Sequence, residues 1–248
     1  MTEDLLDPLP GIVLTETGPA DGPVVVLVHG IGMSERSFRA LTADLARDHR
    51  VLVPDLPGFG RSPRPRRVPG IEDLADAVLA AVRDRGVQRA VLVGHSMGAQ
   101  VVAAAMLRAP DLVERVVLIG TVVDDGAPDA LRQALRLARD GWHEPARVNA
   151  LVVADYLRAG PFWYGAVLPH MLRFDTAAAV ARLPGPALLV RGEHDPVCTR
   201  AWNRRLAALA PDGTAREVPR AGHVAQATHA PLVARWVRHG VAVEAARV

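Results

Sequence analysis

The chain reads as a single α/β domain, a doubly wound, mostly parallel sheet with a helical insertion. Three observations predict this. The runs 24–28, 51–53, 90–93, 116–119 and 187–190 are apolar without polar alternation, as strands buried on both faces are. Helical patterns at 38–47, 71–85, 97–108 and 199–210 fall between them, and such alternation predicts parallel strands covered on both sides by helices. The alternation then breaks from 124 to 183, a stretch longer than the structureless loops compact domains tolerate.

Taken in order, 11–17 can add an edge strand before the first buried run. In 71–85, Leu74, Ala75, Val78, Leu79 and Val82 make a helical stripe. Within the interruption, Leu131, Ala134, Leu135 and Ala138 repeat with helical spacing, and 148–157 and 165–173 are further helix candidates. The sheet pattern resumes at Pro186, Glu217 and Val218 end a short strand, and 230–241 is the last helix. The core is therefore 1–123 plus 184–248, and 124–183 is the insertion.

With 248 residues, half of them hydrophobic and 23% charged, the chain can bury one α/β core and carry an insertion. Its net charge is only +2, and every basic residue is arginine, a balance that argues against nucleic acid as a partner. The lone Cys198 can form no internal disulfide and shows no metal-ligand spacing. Residues 1–10 are acidic and proline-punctuated, without the pattern of a secretory signal. The apolar runs are too short to span a bilayer. The expectation is a cytoplasmic protein that acts on a small molecule away from membranes, with monomer versus homodimer left open.

Gly94-His95-Ser96-Met97-Gly98 carries the chemistry. A serine between a β run and a helix is pushed into the open above the sheet edge, and the flanking glycines permit the tight turn. Its hydroxyl needs a base to become a nucleophile. Among nine histidines, His223 follows a strand end in the turn Ala221-Gly222-His223 and is the candidate base. His229 is weaker, and His49, His143, His170 and His239 lie in helical or helix-end patterns. The base needs an acceptor that fixes its tautomer. Asp195, in the loop after 187–190, fits, with Glu193, Asp124 and Asp125 as rivals. The order Ser96, Asp195, His223 is the chain order expected on this fold. The oxyanion of an acyl-transfer intermediate needs fixed N–H donors. Met97 N–H, at the start of a helix, and Ile31 N–H, with Gly32 next, are the candidates. His29 and His95 read as braces of these turns.

These residues resemble the α/β-hydrolase fold superfamily over nearly the whole chain. Five motifs in order carry the resemblance: His29-Gly30-Ile31-Gly32, Asp55-Leu56-Pro57-Gly58-Phe59-Gly60-Arg61-Ser62, Gly94-His95-Ser96-Met97-Gly98, Gly192-Glu193-His194-Asp195 and Gly222-His223. The resemblance implies a carboxylesterase-like serine hydrolase with a Ser-Asp-His triad and no metal or organic cofactor. It implies that residues 55–62 form a structural loop, and that 124–183 is a cap, inserted after the sixth strand, that roofs the site. Capped members include carboxylesterases, lactonases, thioesterases and carbon–carbon bond hydrolases. Dehalogenases and epoxide hydrolases use an aspartate nucleophile, which Ser96 argues against. The fold also hosts binding and biosynthetic members that do not hydrolyse.

Ten residues are aromatic, and Trp142, Tyr156, Phe162, Trp163, Tyr164 and Phe174 fall in the insertion. Such enrichment suits either an apolar roof over Ser96 or the insertion's own core. Trp142, Phe162, Trp163 and Tyr164, with Gly32, are the candidate substrate contacts, although three consecutive rings cannot all point one way. Arg61, Arg64, Arg66 and Arg67 could steer an anionic substrate or form a solvated loop. The expected reaction is hydrolysis of a small, largely apolar carboxylic ester or thioester.

Overall fold

The computed structural model describes residue 9, residues 11–123 and residues 146–240. The stripe at Leu131–138, Trp142, His143, Asp124 and Asp125 lie outside the described residues. Seven strands form one sheet: β1 (Leu14–Thr17), β2 (Val24–Val28), β3 (Arg50–Pro54), β4 (Ala90–His95), β5 (Val113–Ile119), β6 (Ala187–Gly192) and β7 (Gly213–Val218). Their order is β1-β3-β2-β4-β5-β6-β7. β2 to β7 run parallel, and β1 is an antiparallel edge strand on β3.

Helices α1 (Arg39–Leu45), α2 (Ile71–Arg83) and α3 (Met97–Arg108) follow β2, β3 and β4. A 3₁₀ turn at Glu35–Phe38 leads into α1. The strand side chains alternate between two cores, as the pleat requires. Val26, Val28 and Leu92 pack with α2 and α3, whereas Val25, Leu27 and Val93 pack with α1 and the last helix. In α2 the striped residues Leu74, Ala75, Val78, Leu79 and Val82 are all buried, and the larger of these each contribute roughly 1.5–3 kcal/mol. The Asp73 carboxylate accepts the Gly70 N–H at 2.8 Å and closes the helix start.

Between β5 and β6 lie α4 (Ala146–Ala159), α5 (Pro161–Arg173) and α6 (Thr176–Ala181). Among the described residues the interruption follows the fifth strand, where the resemblance implied the sixth. Gly160, at φ +76°, ends α4, and Pro161 starts α5 four residues before its expected beginning at 165. Proline suits a first helical position, where an N–H has no partner anyway. α6 was not expected. It is one short segment whose start is held by the Asp175 carboxylate on Ala178 N–H at 2.9 Å, and it packs between α3 and α7 (Arg200–Leu209). Gln100 on α3 donates to Met171 O at 3.1 Å and to Thr176 Oγ1 at 2.9 Å, anchoring the inserted helices to the core. After β7 come the short α8 (Ala225–Thr228) and α9 (Ala230–His239). Among the described residues, no helix is long and apolar enough to cross a membrane.

Candidate active site

Parallel strands bring their carboxyl ends to one edge of the sheet, and the loops beyond them form the candidate site. Ser96 sits between β4 and α3 with φ 57° and ψ −120°. A non-glycine residue in this region costs of order 1–3 kcal/mol and persists only where its surroundings dictate it. The constraints are visible. Ser96 N–H donates to Ile119 O at 2.9 Å, and Ala99 N–H donates to Ser96 O at 3.0 Å. A Cβ on Gly98 would lie 2.1 Å from Val28 O, so only glycine lets α3 start this close to the end of β2. The loop after β2 then abuts the serine, because a Cβ on Gly30 would lie 3.0 Å from Ser96 Cβ.

Asp195 and His223 are both buried, and Asp195 Oδ2 lies 3.0 Å from His223 Nδ1. The other carboxylate oxygen accepts the N–H groups of Val197 at 2.8 Å and Cys198 at 3.0 Å. The carboxylate therefore has one orientation and presents one oxygen to the imidazole. Gly192 lets the histidine loop approach, since its Cβ would lie 2.0 Å from Gly222 O. The imidazole lies over Gly120, just beyond β5, where a Cβ would lie 2.9 Å from both Nδ1 and Cε1 of His223. Gly120, at φ +58°, directly follows Ile119, the residue that holds Ser96 N–H. Three side chains separated along the chain thus converge on the ends of β4, β5 and β6. Glu193 is exposed and accepts Arg220 N–H at 2.8 Å, so it does not compete with Asp195.

The bracing histidines lie where expected. Leu56 N–H donates to His29 Nε2 at 2.9 Å, so Nδ1 carries the proton and donates to Gly30 O at 2.8 Å. His95 Nε2 donates to His223 O at 3.1 Å, and the two rings lie 4.8 Å apart. Burial lowers the pKa of His29, and burial followed by the charge of His223 lowers that of His95 further. Burial thus favours the neutral form of both braces. His229 sits half-buried before α9 with Nδ1 3.0 Å from Thr228 Oγ1. Its pKa is lowered by burial first and by Arg220 second.

Ile31, Gly32 and Met97 form the other side of the site. Met97 is the first residue of α3, a position whose N–H has no intrahelical acceptor. The turn holding Ile31 closes with Met33 N–H on Gly30 O at 3.2 Å. Gly32, at φ +75°, lies beneath two rings of the insertion, with its Cβ position 2.5 Å from Tyr156 and 3.0 Å from Tyr164. Trp163 covers Gly58, whose Cβ would lie 2.2 Å from the indole nitrogen, and leans on Phe59. Phe162 is a correction. It is 91% exposed to solvent. Successive helical residues turn by about 100°, so seating Trp163 and Tyr164 against the core sends Phe162 into solvent.

The arginine loop is structural. Arg61 binds Asp55 at 3.0 Å, Arg64 donates to Ala159 O and stacks on Trp163, and Arg67 grips Asp73 through both terminal nitrogens at 2.6 and 2.8 Å. Asp55 is buried and also accepts Glu35 N–H at 2.8 Å, in keeping with a structural loop at 55–62. His170 borders a cleft of about 550 Å³ between α2, α3 and α5, away from Ser96. Cys198 is buried and in no disulfide. Among the described residues, no three His, Cys, Asp or Glu side chains cluster as metal ligands would.

Two residues of consequence were not singled out from the sequence. Arg191, the penultimate residue of β6, is buried, donates to Asp195 O at 3.0 Å and to Cys198 O at 2.7 Å, and pairs with Glu217. It holds the Asp195 loop from beneath. The available signal was a charge continuing an otherwise apolar, two-sided strand. Asp155 on α4 is also buried, and it bonds Ser34 and Arg36. Its signal was an acid four residues before Ala159 on the inward face of a helix.

Known proteins place this arrangement in a family. The profile of the "Alpha/beta hydrolase family" matches residues 25–236. The chain is 29% identical to the putative carbamate hydrolase RutD of Pseudomonas savastanoi pv. phaseolicola, over 84% of this chain and 90% of that one. It is 40% identical over 111 residues to the magnesium-chelatase 30 kDa subunit of Rhodobacter capsulatus, a match spanning 44% of this chain and only 38% of that subunit. A thermophilic esterase from Thermogutta terrifontis superposes with a TM-score of 0.79 at 25% identity, over 92% of this chain and 91% of that one. The chain belongs to the alpha/beta hydrolase family, and it is a hydrolase.

Proposed function

We propose that the protein hydrolyses a small, largely apolar carboxylic ester or thioester through an acyl-enzyme on Ser96. One observation carries this reading. The Asp195–His223 pair lies over Gly120, the neighbour of Ile119, whose carbonyl accepts the N–H of the strained Ser96 just before α3. Asp195 accepts a hydrogen bond from His223 Nδ1–H and stays ionised, which leaves the Nε2 lone pair to remove the proton of Ser96 Oγ as it attacks the carbonyl carbon. The oxyanion forms between Met97 N–H and Ile31 N–H, where fixed donors act without reorganisation. His223 then returns the proton to the leaving alcohol or thiol. Water enters and gives a proton to His223 as it attacks the acyl carbon, and His223 returns that proton to Ser96 Oγ as the acid departs.

The insertion acts as a cap. Tyr156, Trp163 and Tyr164 lie directly on Gly32 and Gly58, which supports a short, apolar acyl group. The esterase likeness supports the ester bond. The carbamate hydrolase relative, matched across most of both chains, favours a second reading, cleavage of a carbamate C–N bond on the same residues.

The test is an aryl ester panel of graded acyl length beside an aryl carbamate, with a serine-directed phosphonate label. Esters of short acids should turn over, and the label should sit on Ser96. Ser96→Ala should lower kcat by roughly 10⁴–10⁶ with the fold retained. Carbamate turnover exceeding ester turnover would select the second reading. An unlabelled Ser96, or near-normal turnover in Ser96→Ala, would overturn both.

A further inference from the structure

We infer that Asp155 is a positioning residue that aims the oxyanion loop from the inserted helices, so that the seating of α4 sets the rate of the chemical step. This deepens the acyl-enzyme reading and rests on it.

The Asp155 side chain is 1% exposed. Taking a carboxylate out of water costs several kcal/mol unless it is paired and hydrogen-bonded. Asp155 has both. Its Oδ2 accepts the Ser34 hydroxyl at 2.7 Å, and its Oδ1 accepts Arg36 Nη1 at 3.1 Å. Ser34 and Arg36 follow Ile31 by only a few residues.

The segment around Ser34 explains how the contact is transmitted. Ser34 is buried, and its carbonyl accepts Ser37 N–H at 3.1 Å and Ser37 Oγ at 2.8 Å. It is the joint between the turn at 30–33 and the 3₁₀ turn Glu35–Phe38. One side of the joint is fixed by His29 on Gly30 O, and the other by Asp55 on Glu35 N–H. Asp155 fixes the joint itself. The next residue, Tyr156, lays its ring on Gly32 together with Tyr164, which meets it edge-on at 5.5 Å. A carboxylate and a ring on one turn of α4 therefore clamp the loop that carries Ile31 N–H.

A plain structural staple and a positioning residue differ in what they move. A staple lowers stability and leaves the folded fraction as active as before. Misaiming an oxyanion donor costs energy only when the oxyanion exists, so kcat falls and KM changes little. An aryl trifluoromethyl ketone, which adds to the serine and carries an oxyanion, reports the same geometry at equilibrium.

The experiment compares Asp155→Ala, Ser34→Ala and their double variant. Asp175→Ala is the control, because it removes the N-terminal bond of α6 without touching the loop. Asp155→Ala should lower kcat about 10- to 100-fold with KM within about threefold, and trifluoromethyl ketone affinity should fall in parallel. Ser34→Ala should show a smaller loss of the same kind, and the double variant should be little worse than Asp155→Ala. Should Asp155→Ala not fold, Ser34→Ala, which deletes one hydroxyl, carries the test through the same parallel. Asp175→Ala should keep kcat. The inference is overturned by wild-type kcat in folded Asp155→Ala, by a kcat loss without a ketone affinity loss, or by an equal loss in Asp175→Ala. Failure of the acyl-enzyme reading looks different, because the wild type itself would then neither take the phosphonate on Ser96 nor bind the ketone.

Discussion

The proposed acid–base side of the site and its proposed oxyanion side are held by different means. Asp195 and His223 are fixed by their own neighbourhood. Arg191, Gly192, Val197 and Cys198 all belong to β6 or its loop, and Gly120 directly follows the adjacent strand β5. The oxyanion loop is fixed across the molecule, by a carboxylate 121 residues away from Ser34 and by rings of the inserted helices. Strand pairing therefore secures the pair proposed to generate the nucleophile. The insertion secures the groups proposed to receive the developing charge. A cap can then change its shape, and with it the substrate, while the acid–base pair stays intact.

This contrast can be broken from either side. The largest expected effect beyond the serine is Asp195→Asn, which should lower kcat by about 10⁴ with an unchanged circular dichroism spectrum, because the imidazole loses its tautomer. A loss that merely tracked unfolding would show that the pair is structural. Next is Arg191→Met, which keeps the volume but frees the Asp195 loop. We expect kcat to fall about 10-fold, and stability to fall by about 1–3 kcal/mol as the carbonyls of Asp195 and Cys198 lose their buried donor. Urea unfolding and steady-state kinetics separate the two. Unchanged kcat would mean that the loop holds itself.

The smallest effect sharpens the role of the braces. Burial lowers the proton affinity of His29 and His95 in the folded chain below its unfolded value. The unfolded state then binds more protons as pH falls, so the stabilisation is complete above about pH 6.5 and is lost below it. Each histidine contributes at most about 1.4 kcal/mol per pH unit. Urea midpoints from pH 7.5 to 5.5 should decline, and His95→Asn, which keeps a donor for His223 O, should flatten the slope. An unchanged slope in that variant would assign the acid lability elsewhere.

Much of this was legible in the sequence for physical reasons. The apolar runs became β2 to β6 because a parallel strand covered on both faces can have no polar alternation. Their ends lay up to three residues off, as with β5, which begins at Val113 before the run at 116–119. The Ser96 corner was legible because its glycines answer a local steric demand: a Cβ would lie 2.2 Å from backbone at Gly94 and 2.1 Å at Gly98. The inserted aromatics were not legible individually. Residues 161–172 are apolar all round the helix, so periodicity does not give its rotational phase, and Phe162 could not be told from Trp163. The arginines of 61–67 showed their charge but not their partners, since Asp55, Ala159 and Asp73 reach them only in the folded chain.

Local chemistry determined the sheet, the serine corner and the order of the acid and the base, because strand periodicity, turn glycines and loop position are properties of short segments. Only the tertiary structure decided that Gly120 must make room for His223, that Arg191 supports the acid loop, and that Asp155 grips Ser34. Those contacts join segments far apart along the chain, and a buried charge is tolerated only where a partner from elsewhere in the fold meets it.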